Sequence, residues 1–250
     1  MIWCLGMYAS ASTWVYNVAL KIAAHSDGPP PLGLYVTGAA ELAGLATDRL
    51  PVAKTHDVDA AGTALLDAQA RAILLSVRDP RDAVASLMLY MHHPFALALQ
   101  RVERSARYLA RWRTDARTLL LRYEDGFAER AATVAAMAAR MDRTLPAESV
   151  AAIHAQTTRA AIDAFVGTIA TLPTALRDPG TGDVVDTVTQ WHSHHAGRTG
   201  EIGRWRRLLK PPQVQAIEAC LGDWMAAFGY APTAASPAIR LTVGRYGIVS

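Results

Sequence analysis

The run Ala72-Ile73-Leu74-Leu75-Ser76-Val77 carries no charge and leads straight into Arg78-Asp79-Pro80-Arg81-Asp82. A strand that is apolar on both faces has to be covered on both faces, which is the condition of a parallel sheet flanked by helices. Pro80 suits a first helical turn, because the N–H it lacks is one that a helix start leaves unused. Strand, short loop and helix therefore follow one another here.

The same unit recurs along the chain. Residues 2–7 form an apolar run, a Ser/Thr cluster follows, and residues 13–24 show helical spacing through Trp14, Val15, Val18, Ala19 and Ile22. Residues 28–33, with Pro29, Pro30 and Pro31, read as a connection, and residues 50–54 as a second short strand. Residues 118–122 are a further strand closed by Tyr123-Glu124-Asp125-Gly126, followed by an Ala-rich helix over 127–141. Helical patterns cover 149–166, residues 167–186 read as a loop, 211–228 form an amphipathic helix, and the tail is irregular from about 231. The expected fold class is α/β, a central parallel sheet in a single domain spanning 1–250, with its ligand site at the carboxyl ends of the strands.

Charge narrows the ligand. Twenty-five Lys and Arg against 22 Asp and Glu leave +3, without any run of five like charges, so bulk nucleic-acid binding is not expected and compact anions are favoured. The first twenty residues are uncharged, but Gly6 and Ser10, Ser12 and Thr13 interrupt them too early for a signal peptide or membrane span. Cys4 and Cys220 lie in apolar contexts and read as buried free thiols, which suits the cytoplasm.

Three clusters sit at strand ends. The turn Tyr8 to Trp14 opens backbone amides and hydroxyls at a helix start, either as an anion site or as a plain Ser/Thr cap. It lacks the Gly-Lys-Ser/Thr ending of a Walker loop. Lys54-Thr55-His56-Asp57 offers a cation and a general base, or an ordinary charged loop. Arg78 is placed to hold a phosphate bidentately with Ser86 on the following helix, or the segment is a salt-bridged helix start in which Asp82 pairs with Arg81.

In this order the clusters resemble the cytosolic-type sulfotransferases that use 3′-phosphoadenosine 5′-phosphosulfate (PAPS). Residues 6–17 resemble that family's 5′-phosphosulfate loop, Lys54-Thr55-His56 its Lys-Thr-His motif, residues 78–86 its 3′-phosphate motif, and Tyr123-Glu124-Asp125 a later strand-end signature. Residues 198–205, Arg-Thr-Gly-Glu-Ile-Gly-Arg-Trp, are similar to its Arg-x-Gly-x-x-Gly-x-Trp pattern. The resemblance implies a P-loop-like fold and an enzyme that moves a sulfuryl group from PAPS to a hydroxyl of a small-molecule or glycan acceptor, leaving adenosine 3′,5′-bisphosphate (PAP). It assigns the 5′-phosphosulfate to Ser10, Ala11, Ser12 and Thr13, the adenine to Trp14, and the 3′-phosphate to Arg78, Ser86, Arg198 and Gly200, with Tyr123 and Thr199 completing the cofactor set. His56 would be the general base and Lys54 the cation on the transferring group, with no metal required.

Two positions depart from the family. Ala9 stands where the family carries Lys or Arg beside the leaving oxygen, and Ala11 where it carries Gly. Ala9 also suits a second reading, a catalytically weakened member that binds PAPS or PAP. A P-loop-like kinase would need a Lys at the loop end and metal-binding carboxylates, and a pure interaction protein would have no preference for the bisphosphate. His192, His194 and His195 and the pair His92-His93 have no carboxylate or Cys at customary zinc spacing and read as acceptor-side or surface residues. Trp3, Trp112, Trp191 and Trp224 read as core or cavity walls.

Overall fold

The computed structural model describes residues 1–25, 28–45, 48–197 and 199–233. In chain order the elements are β1 (Ile2–Gly6), α1 (Ser12–Ala23), β2 (Leu32–Tyr35), β3 (Pro51–Thr55), α2 (Ala60–Gln69), β4 (Ala72–Val77), α3 (Pro80–Tyr90), α4 (Phe95–Leu109) and β5 (Thr118–Arg122). There follow α5 (Ala131–Arg140), α6 (Ala147–Ala155), α7 (Arg159–Val166), the short strands β6 (Ala175–Arg177) and β7 (Val184–Asp186), α8 (Trp205–Leu208) and α9 (Pro211–Ala227). The sheet is parallel throughout in the order β2-β3-β1-β4-β5.

Period-two alternation divides each central strand between two cores. Ile2, Cys4 and Leu74 pack with Trp14, Val18, Ile22, Val134 and Met137 under α1 and α5. Trp3, Leu5, Ile73 and Leu75 pack with Val102, Leu109, Trp112 and Leu221 under α4 and α9. Trp3 and Trp112 meet edge to face with centroids 4.5 Å apart, a geometry worth about 0.5–1.5 kcal/mol beyond the area it buries. With helices on both faces and every strand running the same way, all five carboxyl ends emerge on one rim.

The expected strands at the start of the chain, at 72–77 and at 118–122 are present, and Pro80 opens α3 with Asp79 as its N-cap, accepting from the Arg81 N–H at 2.9 Å. Several expectations are corrected. Leu32 and Gly33 belong to edge strand β2, so the Pro-rich connection is shorter than 28–33. Residues 127–141 do not form one helix, because Gly126 turns left-handed (φ 65°) and a short 3₁₀ turn over Phe127–Glu129 precedes α5. Residues 167–186 contain the antiparallel hairpin β6–β7. Cys4 is buried, whereas Cys220 is only partly so; both are free. The tail from 234 onward lies outside the described residues. No described helix is long and apolar enough to cross a membrane.

Candidate active site

Residues at or just beyond the carboxyl end of every strand of the large sheet line one cavity of about 720 Å³: Tyr35 from β2, Lys54 and His56 from β3, Ala11 beyond β1, Arg78 from β4 and Tyr123 from β5. Among the described residues the charged side chains on its wall are the cations Lys54, Arg78, Arg101, Arg159 and Arg204 and the carboxylates Glu129 and Asp163. A cavity so charged favours anions.

The loop after β1 depends on close packing. A Cβ on Gly6 would stand 2.3 Å from the Ser12 Cβ and 2.6 Å from the Ser76 Oγ. The Ser10 hydroxyl donates to the Met7 carbonyl at 2.7 Å and lies 2.9 Å from the Ser76 Oγ, so it braces the loop from beneath and does not face the cavity. Ser12, Thr13 and Trp14 do line the cavity, and α1 begins there without a side-chain cap. The amides of its first turn have no acceptor within the helix, and the positive end of the helix dipole points the same way. Trp14 is fixed by its indole N–H donating to the Thr157 carbonyl at 2.8 Å.

Two alanines in this loop adopt left-handed backbone, Ala9 at φ 59° and Ala11 at φ 60°. A Cβ in that region costs about 1–2 kcal/mol. Ala11→Gly should relieve that strain while giving back about 0.4–1 kcal/mol of unfolded-chain entropy, a net gain of roughly 0.5–1 kcal/mol in denaturant unfolding. A loss of stability would show that Ala11 is not strained.

His56 lies 2.7 Å through Nδ1 from the Gly6 carbonyl. A carbonyl only accepts, so Nδ1 carries the proton and Nε2 keeps its lone pair. Burial, and then the Lys54 charge, push the imidazole down to about 3, so it is neutral near pH 7. Tyr8 stacks on the ring with centroids 4.1 Å apart and 17° between planes. Lys54 is pushed down to about 8 by burial and sits 5.2 Å from the Tyr35 ring centroid, with no ion pair among the described residues.

Arg78 stands over Tyr123 with its guanidinium carbon 4.2 Å from the ring centroid, and donates to the carbonyls of Ala9 and Glu201 at 3.3 and 2.8 Å. Its Nε is buried and has no hydrogen-bond partner among the described residues. Ser86 lies on the same wall from α3. The neighbouring acidic residues position this group. Asp82 does not pair with Arg81, as the spacing suggested. It accepts from the N–H groups of Gly203 and Trp205 at 2.6 and 2.9 Å and so pins residues 199–205 to α3. Arg81 instead bridges Asp79 at 2.7 Å and Glu218 at 2.8 Å. Glu124 accepts from the Asp79 N–H at 2.9 Å, which fixes the start of α3 against the end of β5.

Gly200 reaches the cavity in left-handed conformation (φ 64°), where a Cβ would fall 2.6 Å from the Tyr123 hydroxyl. Thr199 is turned aside, its hydroxyl accepting from Arg204, and Arg198 lies outside the described residues. Sequence reasoning missed Tyr35 and Arg101 on the wall. Nothing in their local pattern marks them; they are brought in by strand order and by α4.

No protein-family model and no curated protein matches the sequence. Solved structures do match. Mouse sulfotransferase SULT7A1 complexed with PAP superposes with a TM-score of 0.62 over 90% of this chain and 83% of the other, at 15% identity. The chain has the sulfotransferase fold. Retinol dehydratase with retinol and PAP matches at a TM-score of 0.60, and the same enzyme with androsterone and PAP at 0.56, each at 14% identity over 90% of this chain and 80% of the other. This fold is the P-loop-like α/β arrangement that the resemblance implied.

The histidines divide. His92 and His93 lie apart from the others, at the end of α3. His192 and His194 line the cavity and share Asp183, each Nδ1 standing 2.7 Å from its Oδ2. The carboxylate missing from customary spacing is supplied by the turn of the β6–β7 hairpin. Trp3, Trp112 and Trp224 are core residues and Trp191 a cavity wall.

Proposed function

We propose that the chain is a cytoplasmic, single-domain sulfotransferase that moves a sulfuryl group from PAPS to a hydroxyl of a small-molecule or glycan acceptor. The observation that carries this reading is the convergence, at one rim, of a helix N-terminus without a side-chain cap, a buried Arg78 whose Nε has no hydrogen-bond partner among the described residues, and a neutral His56 beside Lys54, which has no ion pair among them. Helix amides suit a phosphosulfate, and a planar guanidinium suits a 3′-phosphate. Ser12 and Thr13 add hydroxyls at the first site, Ser86 and the Gly200 backbone border the second, and Trp14 and Tyr123 supply aromatic surface for adenine.

In the reaction the His56 Nε2 accepts the acceptor's hydroxyl proton as the new S–O bond forms. The S–O bond to the 5′-phosphate breaks and its electron pair leaves with PAP. Lys54 offsets charge on the sulfuryl and leaving oxygens. A kinase reading lacks support, because the loop after β1 ends without a lysine and, among the described residues, the carboxylates on the wall are Glu129 and Asp163, neither of them at a strand end. Ala9 favours a weakened transferase as the second reading.

PAP should raise the melting temperature at concentrations where ATP and adenosine 5′-phosphate do so far less, because only PAP offers a 3′-phosphate. Arg78→Ala should cost about 1.5–3 kcal/mol of PAP binding by calorimetry. Equal stabilisation by ATP and PAP would remove the cofactor assignment.

A further inference from the structure

The Asp183 cluster has the composition of a metal centre. Its carboxylate oxygen and one ring nitrogen each from His192 and His194 lie within 4.8 Å of one another. As they stand, both Nδ1 atoms sit 2.7 Å from the same Oδ2. An ion would take the place of the two protons they share with it. Bonds of about 2.0–2.2 Å require ligand atoms roughly 3.3 Å apart, so each ring nitrogen has to draw back from Oδ2 by about half an ångström.

The surroundings match what metal ligands need. The other carboxylate oxygen, Oδ1, accepts from the Ser193 hydroxyl at 2.6 Å and the His194 N–H at 3.2 Å, which fixes the direction of Oδ2. Outer hydrogen bonds of this kind orient ligands and raise affinity. The His195 Nδ1 accepts from the His192 N–H at 3.1 Å, so that ring braces the turn. Two imidazoles and one carboxylate suit Zn²⁺, Co²⁺ or Ni²⁺ better than the hard Mg²⁺ or Ca²⁺. Three protein ligands leave a position open, as in sites that bind an exogenous oxygen donor. Both histidines are on the cavity wall.

We propose that Asp183, His192 and His194 bind one divalent transition-metal ion, with its open position toward the cavity and available to an oxygen donor held there. The site is independent of sulfuryl transfer and is tested apart from it. The whole chain is treated with chelator, desalted and titrated with Zn²⁺ by calorimetry and with Co²⁺ by visible absorption. One ion per chain with a micromolar or tighter constant is expected, and acetohydroxamate, a small oxygen donor, should shift the Co²⁺ bands. Asp183→Ala and His194→Ala should each weaken binding by about 100-fold or more. Asp183→Asn, which keeps the shape of the side chain, should do likewise, while His93→Ala should leave binding unchanged. Absent Zn²⁺ binding, or binding that survives all three cluster substitutions, would overturn the site; unshifted Co²⁺ bands would overturn its open position. Stabilisation by PAP, measured on the same samples, reports on the nucleotide reading separately.

Discussion

His56→Ala should lower sulfuryl transfer by about 10²- to 10⁴-fold, the usual worth of a positioned general base. PAP affinity should stay within a few-fold of the parent, because the lone pair lost belongs to Nε2 and the nucleotide phosphates are assigned to other groups. The ring is held in the required tautomer by the Gly6 carbonyl and in the required plane by Tyr8. Radiolabelled transfer to a competent acceptor measures the effect, and parental turnover in the variant would mean that another base operates. The same histidine gives a signature that needs no acceptor. An ordinary histidine takes its proton near 6.5, whereas folded His56 resists until about 3. Between those values the unfolded chain binds more protons than the native one, so His56 makes stability fall as pH drops through this window. The alanine variant should lose that dependence and resist acid better than the parent.

The sheet was legible because strands apolar on both faces have few alternatives. Residues 72–77 are buried throughout, the apolar run Leu119 to Leu121 marked β5 although only Leu121 is fully buried there, and Pro80 marked where α3 begins. Legibility failed where burial is one-sided or shallow. β2 has two exposed residues in four and follows three prolines, so its pattern resembles a loop. β6 and β7 are three residues each and are held by pairing with one another. Helix α4 went unread, although Ala98, Val102, Ala106 and Leu109 stand at helical spacing and are buried, and it brings Arg101 to the cavity. Within the site, the motifs at strand ends named part of the wall, Lys54, His56, Arg78 and Ser86 among it. They did not reveal that Asp82 ties down the Gly200 segment, since that contact joins residues 121 and 123 positions apart. Nor did spacing along the chain reveal Asp183 against the two histidines.

Ala9→Lys tests whether the site lacks a catalytic cation. Ala9 lies on the cavity wall beside the uncapped start of α1, and its carbonyl is held by Arg78. Its backbone is already left-handed with a Cβ in place, so a longer side chain adds little further strain there. A cation at this position acts where charge develops as the S–O bond breaks, and such a group affects the transition state more than the bound nucleotide. Turnover should rise about 10-fold at least, toward the 10²- to 10³-fold that one preorganised donor is worth, while PAP affinity changes far less. A flat or lower turnover with PAP binding intact would mean that a cation already serves this role. Arg204 is an unsuitable substitute, because its guanidinium is engaged by Tyr90, Thr199 and Glu201. Lys54 and Arg101 are the better ones: Lys54 stands at the end of β3 without an ion pair among the described residues, and Arg101 lies 6.0 Å from the ring of Tyr8, the neighbour of Ala9. Arg101→Ala in the Ala9 background separates the two. A loss of turnover restored by Ala9→Lys would identify Arg101 as the displaced cation, and no loss would leave Lys54 to act alone.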